Sequence, residues 1–264
     1  MINYHDHPAV SASRLKRAIT CTERSFRRPF KRTDPIRQGS LVDCLALTPD
    51  RFDTTYLVRP EGLDLRTKAG KEWQAEHANS GLEIIPCEWH ATALAIVAAL
   101  RSDRTISELL DLASQQPHYW HDAQGVPCRY MPDIEAPGLL VDMKKTASAA
   151  PRQFAAQAYS LAYDVQMAHY LLGHVNRYEL ASLPRVAFLA YEWDPMPDVG
   201  LYWLPGEWLE EGLRRREIAM DRLLLWETQP SNERTGACRN VCAATDDRTV
   251  TSRSSCGAGD GTGT

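Results

Sequence analysis

The run Arg129-Tyr130-Met131-Pro132-Asp133-Ile134-Glu135-Ala136-Pro137-Gly138-Leu139-Leu140-Val141-Asp142-Met143-Lys144 sets two aspartates nine residues apart, with a lysine two residues beyond the second. Strand side chains alternate with period two, so Leu139, Val141 and Met143 fall on one face and Leu140, Asp142 and Lys144 on the other. Asp142 and Lys144 then project from the same side. Two carboxylates brought together hold a hard divalent cation such as Mg²⁺, and an ammonium beside them gathers with it around one phosphate. Taken alone, an Asp-x-Lys pair on a strand is more often a solvated face, so the surrounding sequence has to carry the reading.

Upstream, His118 to His121 reads as a strand, Asp122 to Gly125 as a turn, and Val126 to Ile134 as the returning strand of a hairpin. Ala136, Pro137 and Gly138 make a second turn before a third strand over Leu139 to Lys145. Downstream, Pro151 suits a first helical turn, and Arg152 to Leu172 holds neither Pro nor Gly, which predicts one helix ending at Gly173. On it Tyr159, Tyr163, Gln166 and Tyr170 follow spacings of four, three and four, a single stripe turned toward the sheet. For Tyr159 and Tyr163, core packing with hydroxyls at the rim is the simpler reading. Glu135 shares the parity of Asp133 and reads as a solvent charge, with a spare metal ligand as the alternative.

Arg129 to Asp133, Val141 to Thr146, and Gln166 followed by Tyr170 together resemble the PD-(D/E)XK nuclease superfamily, and within it the exodeoxyribonuclease VIII (RecE-like) group of phage recombination exonucleases. The likeness begins at Ser11-Ala12-Ser13-Arg14-Leu15, takes in the Gly39 to Pro49 helix, and runs through the Gln-x-x-x-Tyr helix. It implies an α/β fold with a restriction-endonuclease-like core, a central mixed sheet flanked by helices, and helical N-terminal additions. It further implies Asp133 and Asp142 as metal ligands, the Met143 backbone carbonyl as another, and Lys144 as the residue that orients or activates the attacking water. Gln166 and Tyr170 would contact the substrate strand or brace the site. Mg²⁺ is the implied cofactor, with Mn²⁺ able to substitute. The implied substrate is a linear duplex DNA end degraded 5′ to 3′, and the implied partners are further copies in a ring-like trimer or tetramer and a single-strand annealing protein. A phage or prophage origin and a cytoplasmic location in the bacterial host follow from the same likeness. One position departs: Gly39-Ser40-Leu41-Val42 is followed by Asp43, where the group usually supplies His. Aspartate still binds a hard cation, directly or through water, which makes Asp43 a further candidate ligand.

With 264 residues, 44% hydrophobic and 24% charged, the chain can bury a sizeable core and reads as one domain over residues 1–229 with a tail over 230–264. The longest apolar stretch, Ala91 to Leu100, is far short of the roughly 20 residues that span a membrane. The N-terminus also lacks a signal peptide's apolar region, so the expectation is a soluble intracellular protein. Net charge is −4. Between Arg14 and Arg37, however, nine Lys or Arg stand against Glu23 and Asp34, interleaved with Phe26 and Phe30. Arg14, Lys16, Arg17, Arg27, Arg28 and Lys31 are therefore candidate contacts to a DNA backbone, with an ordinary basic helix surface as an equal alternative. Elsewhere Glu61 to His77 reads as a loop entering a helix, Trp89 to Leu100 and Ile106 to Leu112 as helices, Arg185 to Glu192 and Leu201 to Leu204 as strands, and Pro205 to Trp226 as a long helix. No internal repeat is evident.

Seven cysteines, an odd number without secretion, argue against a disulfide scaffold and for reduced, mostly buried thiols. AddB-type and CRISPR-associated relatives hold an iron-sulfur cluster on one N-terminal and three C-terminal cysteines, which Cys21, Cys238, Cys242 and Cys256 echo with poor spacing. An iron-sulfur nuclease module is thus a weaker alternative, and a brown protein would be its mark. The tail from about Pro230, rich in Ser, Thr, Gly and Arg, reads as disordered or partner-dependent. A catalytically silent nucleic-acid-binding or assembly protein on the same fold is the other alternative, raised by Asp43 and opposed by the intact Asp133, Asp142, Lys144 and Gln166.

Overall fold

Alternation along Leu139–Thr146 does form a strand, but one buried on both faces, because helices cover the sheet on either side. The computed structural model describes residues 4–228. In chain order these give β1 (Val10–Ser11), α1 (Ala12–Thr20), α2 (Glu23–Phe26), α3 (Asp34–Leu47), α4 (Phe52–Thr55), β2 (Tyr56–Val58), α5 (Lys68–His77), β3 (Glu83–Ile85), α6 (Cys87–Ser102) and α7 (Arg104–Leu110). The second half contributes β4 (His118–His121), β5 (Pro127–Tyr130), β6 (Ile134–Ala136), β7 (Leu139–Thr146), α8 (Pro151–Ser160), α9 (Tyr163–Tyr178), β8 (Arg185–Glu192), β9 (Val199–Trp203) and α10 (Gly206–Thr228).

The main sheet has the order β6-β7-β8-β9 and is mixed: β7 and β8 run parallel, and each pairs antiparallel with its outer neighbour. The β7 to β8 connection carries α8 and α9, as a parallel pair requires. On one face Leu140, Val186 and Phe188 pack with Leu15, Val165, Met167 and Met220 from α1, α9 and α10. On the other, Val141, Met143 and Leu189 pack with Leu41, Ile96 and Leu110 from α3, α6 and α7. The result is a helix-sheet-helix sandwich, the α/β architecture that the family likeness implied. There are two smaller sheets, β1-β5-β4 and the parallel pair β2-β3, among the described residues. No helix among the described residues is long and apolar enough to cross a membrane. The segment from residue 230 onward, with Cys238, Cys242 and Cys256, lies outside the described residues.

Four local expectations need correcting. The strand expected over Val126 to Ile134 ends at Tyr130, and Ile134 opens β6 in a different sheet. Pro132 lacks the N–H that would continue the ladder, so the chain steps between sheets there and Asp133 sits on the step. The long helix expected from Arg152 breaks at Leu161 and Ala162, where Ala162 adopts φ +53°. Neither Gly nor Pro signals this break; Ala162 and Tyr163 are buried in the core, and that packing overrides propensity. Gly173 does not end α9 but lies within it, because a Cβ there would meet the Tyr130 ring at 2.4 Å and Trp120 at 2.9 Å. Tyr159 thereby leaves the stripe: it is 54% exposed on α8, beneath the Arg215 guanidinium. Glu135 is not solvent-facing. It is buried, accepting from Arg177 Nη1 at 2.8 Å, His174 Nδ1 at 2.7 Å and the Tyr130 hydroxyl, which compensates its desolvation.

A buried histidine on α9 makes this fold sensitive to acid. His169 Nε2 bonds the Arg129 carbonyl at 3.0 Å while Nδ1 accepts from Arg216 Nε at 3.4 Å, an arrangement only the neutral ring satisfies. Burial, then the Arg216 charge, pull its pKa down to about 3 from 6.5. A depressed histidine means the unfolded chain takes up the proton first. Its stabilisation is therefore complete above pH 6.5 and is lost as pH falls toward 3. Thermal unfolding between pH 7 and 4 should show this loss, and His169→Gln should flatten it; an unchanged slope in the variant would contradict the assignment.

Candidate active site

Asp142 lies at the centre of the constellation because the β7 alternation turns it toward α9 rather than toward α3. Its Oδ1 accepts from Gln166 Nε2 at 2.9 Å, and its Oδ2 takes the Lys144 ammonium. That ammonium also donates to the Met143 carbonyl at 3.2 Å. Asp133 joins from the step between sheets: its Oδ2 accepts from the Met143 N–H at 2.7 Å, and the Gln115 side chain bonds it as well. The backbone there is tied down by Ser114 N–H donating to the Asp133 carbonyl at 3.1 Å. Asp43, one turn beyond Gly39 on α3, brings a third carboxyl to the edge of this group.

The electrostatics follow from burying like charges together. Burial, then the Asp142 charge, push Asp133 up to about 7. Burial and Asp133 hold Asp43 well above the usual carboxylate range. Burial alone would pull Lys144 down, but Asp142 and Asp133 outweigh it and lift the group above an ordinary lysine. It is an ammonium at neutral pH. Tyr170 on α9 and Tyr191 on β8 are held protonated by burial and by the acids, Asp142 acting most on Tyr170 and Asp43 most on Tyr191.

Among the described residues, no group of three or more acidic, histidine or cysteine side chains is arranged to hold a metal ion. The available donors are two carboxylates and a carbonyl. A cationic group already stands between two of them, since Lys144 Nζ contacts both Asp142 Oδ2 and the Met143 carbonyl. Oxygen-only donors around a positive centre fit a hard divalent cation.

Of the residues singled out from sequence, the structure brings Asp133, Asp142, Met143, Lys144 and Gln166 together, with Tyr170 bonded to Gln166 and Asp43 within electrostatic reach. The basic N-terminal set is dispersed. Arg14 pairs with Glu227 and the Pro8 carbonyl, Arg17 binds the Ser25, Phe26 and Arg28 carbonyls, and Arg27 pairs with Glu23 and the Trp226 carbonyl. Arg28 and Lys31 are exposed. Lys16 turns inward, its Nζ donating to Gln166 Oε1 at 2.7 Å. Burial, then Lys144, push its pKa down to about 7. The Tyr163 ring has Lys16 and Lys144 each 5.1 Å from its centroid. Sequence reading overlooked Gln115, Tyr191 and this role for Lys16. Gln115 carries no sequence signal, because its place depends on a left-handed backbone at φ +40°. Lys16 carries a faint one: it sits one helical turn beyond the buried Ala12, on the inward flank of α1. Cys21, Cys44, Cys87 and Cys128 are free thiols, and the three other cysteines proposed for a cluster lie outside the described residues.

Comparison with known proteins bears on the fold and the family. A candidate exonuclease from Eubacterium rectale superposes with a TM-score of 0.60 at 16% identity, covering 86% of each chain, and so shares the fold. A phage-related exonuclease from Haemophilus somnus 129PT gives a TM-score of 0.36 at 14% identity, covering 84% of this chain and 97% of that one. No curated protein matches the sequence. Residues 11–245 match the family model described as a PDDEXK-like domain of unknown function (DUF3799), and with most of its length inside that match the chain belongs to this PDDEXK-like family.

Proposed function

We propose that the protein is a metal-dependent deoxyribonuclease that hydrolyses one strand of linear duplex DNA from an end, 5′ to 3′, to expose single strand for recombination. The observation that supports this most is the meeting of Asp133, Asp142, the Met143 carbonyl and Lys144 at one point. Asp133, Asp142 and the Met143 carbonyl would hold Mg²⁺, or Mn²⁺ in its place, which supplies charge stabilisation at the scissile phosphate and a more acidic bound water. Lys144, being an ammonium, donates: it holds a water or phosphate oxygen in place and offsets developing negative charge. Gln166 fixes one oxygen of Asp142, and Tyr170 braces Gln166. The direction of cleavage, the ring-like oligomer and the annealing partner rest on the family likeness alone.

Duplex DNA labelled separately at each 5′ and 3′ end, with a closed circular control, tests this reading in Mg²⁺ and in EDTA. Metal-dependent shortening from 5′ ends that spares circles and vanishes in Lys144→Ala is the expected result. Cutting of circles would replace the exonuclease reading by an endonuclease one. Absence of cleavage by folded protein would favour the catalytically silent reading, which Asp43 in the usual histidine position supports.

Asp43 has a separate test. Removing a buried like charge should raise the melting temperature of Asp43→Asn in EDTA, while Mg²⁺ affinity by calorimetry should fall about tenfold, the scale expected for a supporting ligand. Unchanged affinity would remove Asp43 from the metal site.

A further inference from the structure

We infer that Lys16 is a positioning residue of the active site, acting through Gln166 to hold Asp142 in register, rather than a surface contact for the DNA backbone. The connection is a short hydrogen-bonded chain across three elements. Lys16 Nζ on α1 donates to Gln166 Oε1 on α9 at 2.7 Å, and Gln166 Nε2 donates to Asp142 Oδ1 on β7 at 2.9 Å. The Asp142 carboxylate can only accept, so the amide between it and Lys16 turns Nε2 toward Asp142 and leaves Oε1 to accept from Lys16. With Oε1 claimed by Lys16, the Nε2 group is committed to Asp142. Asp142 then has one oxygen pinned by Gln166 and presents the other to Lys144. The flat Tyr163 ring, 5.1 Å from both ammonium groups, fixes the side from which each lysine approaches. Packing of α1 against α9, through Leu15 and Ala12 in the shared core, keeps the donor in place.

The activity arm of the test rests on the nuclease reading above; the other arms do not. Lys16→Met should lower kcat for DNA cleavage by about 10- to 100-fold, the range seen when a partner of a metal ligand is removed, with KM for DNA changed less than about threefold. A backbone contact would do the reverse, raising KM and sparing kcat. If Lys16 acts through Gln166, the double variant Lys16→Met, Gln166→Leu loses no more than Gln166→Leu alone. Without DNA, Mg²⁺ affinity by calorimetry should fall in Lys16→Met by a similar factor. In the wild-type protein, nuclear Overhauser contacts between the Lys16 ε-methylene and the Gln166 side chain should be visible, a readout that needs no variant to fold. An active enzyme in which Lys16→Met raises only KM, or a folded wild type lacking that contact, overturns the inference. A wild type without nuclease activity that still shows the contact and Lys16-dependent Mg²⁺ binding retains the inference and overturns the proposed function instead.

Discussion

Asp142→Asn is expected to remove DNA hydrolysis, by roughly a thousandfold or more, equivalent to about 4 kcal/mol of transition-state stabilisation. The side chain keeps its shape and still accepts from Gln166, so the loss is one of charge at the point where the candidate metal ligands and Lys144 meet. Stability should move the other way. Asp133 and Asp43 are both held above their usual range partly by the charge of Asp142, and deleting that charge relieves them. Lys144 loses one acceptor but keeps the Met143 carbonyl and the field of Asp133. Unfolding in EDTA should therefore occur at the same or a higher temperature, and the rise in melting temperature that Mg²⁺ confers should disappear. A variant that melts far earlier and keeps its Mg²⁺ response would show that Asp142 supports the fold and not a cation.

Glycines on two helices should answer the same substitution with opposite signs. At Gly173, within α9, an added Cβ would lie 2.4 Å from Tyr130 Cδ1 and 2.6 Å from its Cε1. That ring cannot retreat, because its hydroxyl is bound to Glu135 and its faces and edges meet Trp120 and Tyr170 at 5.6 Å each. Overpacking of this kind costs about 3 kcal/mol, against which alanine recovers about 1 kcal/mol of helix propensity. Gly173→Ala should thus lose about 2 kcal/mol and melt roughly 4–8 °C earlier, and Gly173→Leu should fail to fold. At Gly39, within α3, the nearest atom to an added Cβ is the Tyr191 hydroxyl at 3.9 Å, so Gly39→Ala keeps the propensity gain of up to about 1 kcal/mol. Denaturant unfolding of both variants checks the pair. Equal effects would mean that contact at Tyr130 is not what selects glycine.

What could be read from the sequence was what depends on neighbours along the chain. The period-two pattern of Leu139 to Lys144 put Asp142 and Lys144 on one face, and the spacing of Gln166 and Tyr170 put them on one side of a helix that does meet that face. What could not be read depends on contacts made elsewhere. Gly173 looks like a helix end until Tyr130 is known to press against it. Glu135 looks solvent-facing until Arg177 and His174, some forty positions away, are seen to enclose it. The break at Ala162 has no local cause in composition and exists because the core takes Ala162 and Tyr163. Lys16 belonged to a basic run by composition, yet it turns to Gln166 on α9 while Arg14 and Arg17 of the same helix bind elsewhere.

The three-residue step from Tyr130 to Ile134 bears on how this site can be tuned. Asp142 is fixed within β7, whereas Asp133 sits on the step between sheets and is held by the Met143 N–H and by the Ser114–Gln115 segment, so the gap between the two aspartates is a tertiary distance. A peptide spanning the motif would carry every chemical group and none of that spacing. Conversely, changes at Ser114 and Gln115, which hold Asp133 without being proposed ligands, offer a dial on cation preference that leaves all the coordinating residues untouched.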